Sequence, residues 1–500
     1  MAAARKGGKS VKKADGQAIL DWLRKTKPEK KAVGRYARTD IGNGNLFADW
    51  ARNQARYNAD RGVWYVYNGQ FWEADAKGAK VRELCKKLAD ALLIYSMSLP
   101  DSQTEGSYKS HVMKWQSQRQ RETILKDAFS VHPVYQKEFD ADPNLFNCKN
   151  GTLDLTTFQF HQHDPSELLT KISGVRYVPG ALCGRWEQFI SEVMQADAFT
   201  ASYLQKILGY GLTGEAPEEC FFILYGPTTR NGKSTMMETY MKMMGDYGRT
   251  AGAKAIARKD HVDSNAPTEE IARLAGARVV NIPEPDKQLI LSTALVKTLT
   301  GRDTITARYL HENSFEFKPQ FKLFINTNYL PRITDVSVFS SGRVKVIPFN
   351  RHFTEKEQDK ALKKKLTRQD SLSGIFNWCL DGLKLMRERG LALPPAVRTA
   401  VAEYQHSSDK TARFIEEELE YGPEFEARTA DAYARYKVWC AENGQYPEGQ
   451  TNFNQDLTRH GVRIHRKRPK GGGSPTTVIL GYRLRLPGVP VAGVATQAGL

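Results

Sequence analysis

The stretch from Cys220 to Met244 restricts the fold more tightly than any other part of this 500-residue chain. Cys220-Phe-Phe-Ile-Leu-Tyr225 is a short apolar run of strand formers, and Ser234-Thr-Met-Met-Glu-Thr-Tyr-Met-Lys-Met-Met244 is a run of helix formers. Between them lie Gly226, Pro227, Thr228, Thr229, Arg230, Asn231, Gly232, Lys233, Ser234 and Thr235. A strand that turns through glycines into a helix opening Gly-Lys-Ser is a phosphate cradle, because loop amides and the helix N-terminus both face an anion. Residues 226–235 are therefore candidate ATP contacts. Lys233 is expected at the β- and γ-phosphates and the Ser234 hydroxyl on Mg²⁺. The common form of this loop has four residues between its glycines. Here five separate Gly226 from Gly232, and Pro227 stands where the first glycine normally falls, which leaves the role of Gly226 open.

Three more short apolar runs follow, at 278–282, 322–326 and 343–349, with helical stretches separating the earlier ones. This is the rhythm of a mostly parallel sheet with covered faces, and such sheets hold ligands just beyond the C-terminal ends of their strands. Glu284 follows the first run and is placed to orient or deprotonate an attacking water and to support Mg²⁺. Asp286 is a second carboxylate nearby. Asn328 follows the next run and can polarise a γ-phosphate and its water. Arg343 opens the last and is a candidate arginine finger acting across a subunit interface. Lys297, on the helix before residue 301, is placed for ATP or for a neighbouring subunit.

The remaining composition narrows the class. Lysine and arginine number 73 against 56 acidic residues, a formal charge of +17, which favours a polyanionic partner. No apolar run approaches the roughly 20 residues that span a bilayer, so no membrane partner is expected. Six scattered cysteines without a Cys-x-x-Cys pair suggest a reducing, cytoplasmic setting rather than a zinc site or disulfide framework. Residues 16–26 and 82–97 read as helices. Gly62–Trp72 reads as an aromatic hairpin with a two-residue turn at Asn68-Gly69. A second β segment is expected near 149–155.

Taken together, several stretches resemble one known group. Tyr225-Gly-Pro with Asn231-Gly-Lys-Ser-Thr235, Leu274-Ala-Gly-Ala-Arg278-Val-Val, Leu299-Thr-Gly301-Arg-Asp303-Thr-Ile-Thr-Ala-Arg308 and Phe324-Ile-Asn-Thr-Asn328-Tyr-Leu-Pro331 are similar to the superfamily 3 helicase motifs. The match is to phage and plasmid primase-helicases related to the poxvirus primase-helicase. Asn150-Gly-Thr-Leu-Asp-Leu155, Arg185-Trp-Glu-Gln-Phe189, Leu208-Gly-Tyr-Gly-Leu-Thr-Gly214 and Thr39-Asp-Ile-Gly-Asn43 extend the resemblance over roughly 35–485. It implies an AAA+-like P-loop ATPase that forms a homo-hexameric ring, tracks single-stranded DNA and unwinds forked duplex 3′ to 5′. It also implies Glu284 as catalytic carboxylate, Asn328 as sensor, Arg343 as trans finger and residues 305–318 as a pore hairpin. In that hairpin Arg308, His311 and Lys318 are candidate DNA contacts, whereas Tyr309 is expected to pack into the protein.

Residues 451–486 hold eight lysines and arginines against Asp456 alone. Two helical patterns (429–443 and 451–460) precede a Gly-tipped basic hairpin, the winged-helix order, with Arg466, Lys467, Arg468 and Lys470 as DNA candidates. The expected fold class is thus α/β. A basic tail (1–34) and an α-rich collar and assembly region (35–190) precede the ATPase domain (191–390). A connecting helix with a winged-helix domain (391–486) and a second tail (487–500) follow. The expected function is replicative DNA unwinding in the cytoplasm of a bacterial host, beside a separate primase or other replication proteins. Primer synthesis is not expected, because residues 1–150 show neither paired strand carboxylates nor a zinc cluster. The alternative is a DNA-binding initiator that uses ATP only as an assembly switch.

Overall fold

The computed structural model describes residues 16–30, 33–100, 103–258, 269–285, 289–310, 314–468 and 475–485. Its N-terminal part is rich in helix. Residues 16–26 are helical, and α1 (Asp40–Trp50) is capped by Thr39, whose hydroxyl accepts from the Gly42 amide. Strands β1 (Ala55–Asn58), β2 (Val63–Tyr67) and β3 (Trp72–Asp75) form an antiparallel sheet, extended by the two-residue β4 (Pro133–Val134) beside β1. The expected aromatic hairpin is β2–β3, but its turn is longer than two residues. Tyr67 pairs with Trp72, so 68–71 form the loop, and the Asn68 side chain accepts from the amides of Gln70 and Phe71. That local bond competes with ladder pairing and holds Phe71 out of the strand. Helices α2 (Ala79–Met97) and α3 (Gln118–Ala128) pack over this unit around Phe47, Leu88, Leu92 and Trp115.

The antiparallel strands β5 (Leu145–Cys148), β6 (Gly151–Asp154) and β7 (Phe160–His161) come next, then α4 (Gly184–Val193) and α5 (Ala198–Tyr210). The N-terminal sheet is tied to this stretch, where the Trp72 amide and indole N–H donate to the carbonyls of Leu169 and Pro165.

The central sheet has five strands: β8 (Phe221–Tyr225), β9 (Gly248–Thr250), β10 (Val279–Pro283), β13 (Lys322–Thr327) and β14 (Val344–Pro348). All pairings are parallel, in the order β14-β8-β13-β10-β9. The four expected strands are all present. The edge strand β9 is an addition, since Gly-Arg-Thr carries no apolar pattern. Between them lie α6 (Lys233–Met244), α7 (Thr293–Thr300) and a separate hairpin of β11 (Ile305–Arg308) with β12 (Ser314–Phe317). One apolar core on one face of the sheet joins Phe146, Trp186, Tyr203, Met236 and Phe324 to residues of α8 (Gln369–Arg389). Helix α4 spans residue 190, where the sequence divides collar from ATPase, and its Trp186, Phe189 and Val193 belong to that core. A second core covers the other face and includes Tyr404 of α9 (Pro395–Ser408), so the connecting helix packs on the sheet.

The C-terminal part runs α10 (Lys410–Glu418), β15 (Leu419–Arg428), α11 (Thr429–Glu442), α12 (Gln450–Arg459), β16 (Arg463–Lys467) and β17 (Thr476–Leu484). The two helices and the hairpin match expectation. The third strand, β15, pairs with β17 in the order β15-β17-β16. No helix among the described residues is long and apolar enough to cross a membrane.

Candidate functional site

Parallel register brings three adjacent strand ends to one level. Tyr225 of β8 pairs with Thr327 of β13, and Asn326 of β13 pairs with Pro283 of β10. The next residues along are the loop that starts at Gly226, Asn328 and Glu284, so all three meet at the C-terminal edge. Lys233, the first residue of α6, folds back over the loop. Its ammonium donates to Asn328 Oδ1 at 2.8 Å and to the Gly226 carbonyl at 3.3 Å. Burial pushes the Lys233 amine down to about 8, while the negative charge of Glu284 opposes that shift. Lys233 is 4 % exposed, whereas Glu284 and Ser234 are open to solvent. Glu284 has φ +42°, and its amide donates to the Asn326 carbonyl at 2.7 Å.

The loop geometry gives Gly226 a definite place. A Cβ there would stand 2.6 Å from the Phe349 carbonyl and 2.9 Å from Lys233 Nζ, so a side chain would displace the lysine. The fifth intervening residue is absorbed by two devices. Arg230 adopts φ +57°, and the buried Asn231 turns its amide inward to the Thr228 carbonyl at 2.5 Å. Gly232 has φ +85° and caps α6. The exposed outer part of the loop is braced by the segment after β14, which sequence reasoning missed. The Phe353 amide donates to the Arg230 carbonyl at 2.9 Å, and His352 Nδ1 lies 2.9 Å from the Thr229 carbonyl. Glu355 is 3.6 Å from the Arg230 guanidinium. The only signal in sequence is a basic and aromatic Arg351-His-Phe353 after the last strand, which matches no motif.

Arg343 stands elsewhere. It precedes β14, level with the start of β8, so the length of a strand separates it from this chain's own loop. Its guanidinium pairs with Glu219 Oε2 at 2.7 Å and donates to Thr300 Oγ1 at 3.1 Å. Arg302 approaches the same carboxylate at 3.5 Å. Lys297 is held by Asp335 at 3.0 Å and Ser337 at 2.8 Å, on its own subunit. Asp286 lies outside the described residues.

On the 305–317 hairpin, Arg308 pairs with Ser314 across the strands and Lys318 is exposed just beyond β12. His311 lies outside the described residues. Tyr309 donates its hydroxyl to the Ala272 carbonyl and stacks on Phe315 at 5.4 Å between centroids, so it packs against the protein. In the C-terminal sheet Arg466, Lys467 and Arg468 are exposed, and Lys470 lies outside the described residues. The extra strand β15 changes the charge balance expected there. Its Glu426 pairs with Lys467 at 2.8 Å and its Glu420 with Arg483 at 2.9 Å, two acids the sequence boundary at 451 left out. No cluster of three or more His, Cys, Asp or Glu side chains that could hold a metal occurs among the described residues. All six cysteines are unpaired.

Comparison with known proteins adds a family. Residues 44–195 match the D5 N terminal like family, residues 406–484 the poxvirus D5 protein-like family, and residues 224–341 a family of unknown function. A putative helicase of Acanthamoeba polyphaga mimivirus is 29 % identical over 313 residues, covering 58 % of this chain and 32 % of the relative. A putative helicase of Frog virus 3 is 29 % identical over 246 residues, covering 45 % and 25 %. The chain thus spans about a third or less of these relatives, and neither comes from a bacterial virus. Among solved structures, the apo NrS-1 C terminal region aligns with a TM-score of 0.51 at 12 % identity, covering 87 % of this chain and 98 % of that one. That likeness is one of fold: a helical N-terminal region followed by a parallel sheet.

Proposed function

Because this chain belongs to the primase-helicase family shared by phages and poxviruses, we propose that it is an ATP-dependent replicative DNA helicase. The observation that carries this reading is the meeting of Lys233, Asn328 and Glu284 at the C-terminal ends of three neighbouring parallel strands. The strand order, with the loop strand β8 beside β13 and β10 beyond it, supports an AAA+-like P-loop core.

In this reading loop amides and Lys233 hold the triphosphate. The Lys233–Asn328 bond sets both groups where the γ-phosphate lies, and Glu284, exposed and one strand over, takes a proton from the attacking water. The exposed Ser234 hydroxyl and Glu284 carboxylate are hard oxygen donors of the kind Mg²⁺ takes. Mg²⁺ would neutralise charge on the β- and γ-phosphates. Arg343, a strand length from its own loop, serves the site of a neighbouring subunit, and this favours a closed homo-hexameric ring. Single-stranded DNA would pass the 305–317 hairpin, with Arg308 and Lys318 as phosphate contacts. The helix–strand–helix–helix–hairpin order of residues 410–484 is that of a winged helix, with Arg466, Lys467 and Arg468 at the end of its first wing strand as DNA contacts. We assign no primer synthesis to these residues.

The test is ATP hydrolysis with and without single-stranded DNA, together with unwinding of a forked duplex. Stimulated hydrolysis and unwinding, both lost in Lys233→Ala, are expected. ATP-dependent assembly without any unwinding would replace this reading with that of an initiator.

A further inference from the structure

Helix α4 and the segment after β14 form the walls of a cleft of about 650 Å³, and these same two elements hold the phosphate loop. On one side, a Cβ on Gly232 would stand 2.6 Å from Val193 Cγ2 of α4. On the other, Phe353 grips the Arg230 carbonyl through its amide. The two elements that line the cleft therefore each touch the loop, one at Gly232 and the other at Arg230. Its volume lies within the roughly 300–1,000 Å³ of small-molecule sites.

The lining chemistry is selective. Each arginine in it already has an acid: Arg185 lies 3.3 Å from Glu192, and Arg351 pairs with Glu357. Among the residues that line the cleft, neither cation is left without an acid for a phosphate to meet. What remains is flat and hydrogen-bonding. The half-buried Phe353 ring has the Arg351 guanidinium 5.0 Å from its centroid, and the same space is lined by Gln195 and by Gln188, whose amide nitrogen donates to Glu192 at 2.7 Å and whose amide oxygen can accept. An aromatic ring backed by a guanidinium plane is a stacking platform for a heteroaromatic base. The rim is also held in an unfavourable backbone state: Gln195 (φ +52°) and Ala196 (φ +61°) are successive left-handed non-glycine residues. Such strain persists where surrounding structure fixes it, and it concentrates at ligand sites.

We propose that this cleft binds the nucleoside end of the triphosphate held by the loop. The base stacks on the Phe353–Arg351 pair, and its edge meets Gln188 and Gln195. The proposal rests on the ATP reading of the loop, and inorganic tripolyphosphate separates the two. Magnesium ATP and magnesium tripolyphosphate are titrated calorimetrically into the full chain and its variants. Phe353→Ala is expected to weaken ATP roughly ten- to a hundredfold and to leave tripolyphosphate unchanged, because the loop is braced by the backbone of residue 353. Phe353→Trp retains the stacking surface and is expected to restore ATP affinity. Gln188 is exposed, so Gln188→Ala reports on the cleft even if Phe353→Ala does not fold, with a smaller loss confined to ATP. Wild-type ATP affinity in both variants would overturn the cleft and leave the loop standing. A parallel loss of tripolyphosphate would also overturn it, since the residues would then act through the loop. If neither ligand binds the wild-type chain, the phosphate-loop reading falls and the cleft with it.

Discussion

The two ends of the central sheet both bury cations, and they satisfy them in opposite ways. At the N-terminal ends, Lys322 donates to the carbonyls of Thr213, Glu215 and Gln320 and lies 4.5 Å from the Tyr210 ring centroid. Arg278 donates to the carbonyls of Leu212 and Leu145 and stacks at 4.3 Å on Tyr247. Three acceptors meet the three N–H donors of the lysine, so nothing is left for a ligand. At the C-terminal ends, Lys233 has two oxygen partners for the same three donors. A buried cation with every donor engaged acts as a rivet for the chain around it. One with a donor to spare, at a rim open to solvent, is set for an incoming anion.

The largest expected effect lies at the closed end. Arg278→Ala leaves two buried carbonyls unsatisfied and a void beside Tyr247, and should lower unfolding stability by about 3–5 kcal/mol, read by denaturant titration. At the open end, Lys233→Ala should reduce ATP hydrolysis at least about a hundredfold while the unfolding midpoint stays near wild type. A comparable loss of stability in both variants would erase the contrast. The smallest effect sharpens it. Burial drives the Lys322 amine well below the usual lysine range. A lysine whose folded pKa lies below its unfolded value of about 10.4 binds fewer protons when folded, so stability rises with pH up to that value. Between pH 7.5 and 9.5 the wild-type chain should therefore gain stability relative to Lys322→Met, as measured by unfolding at each pH.

The sequence marks the open end well and the closed end poorly. Strands β8, β10, β13 and β14 are apolar runs with mostly buried residues, and Lys233, Glu284 and Asn328 stand at or just beyond their turns, where chemistry in parallel sheets is expected. Arg278 and Lys322, by contrast, look like polar residues that bound a strand, and only the carbonyls of residues 212–215 folding over them make them interior. The same limit hides β15. Leu419-Glu-Tyr-Gly-Pro-Glu-Phe-Glu-Ala-Arg428 holds a glycine, a proline and a register break between Tyr421 and Glu426, so its strand character comes from pairing with β17. The Arg351–Glu355 brace is illegible for another reason. Its two hydrogen bonds go to the backbone carbonyls of Arg230 and Thr229, which any sequence could supply.

Glu284 has a further consequence. A side-chain-bearing residue held at φ +42° costs the chain about 1 kcal/mol or more, a cost that glycine escapes. With Glu284 proposed as the catalytic base, thermodynamics and chemistry pull this position apart: the folded state favours the smallest residue, and the proposed hydrolysis needs a carboxylate. Copies freed from selection for activity should drift here first, becoming better folded as they fall silent.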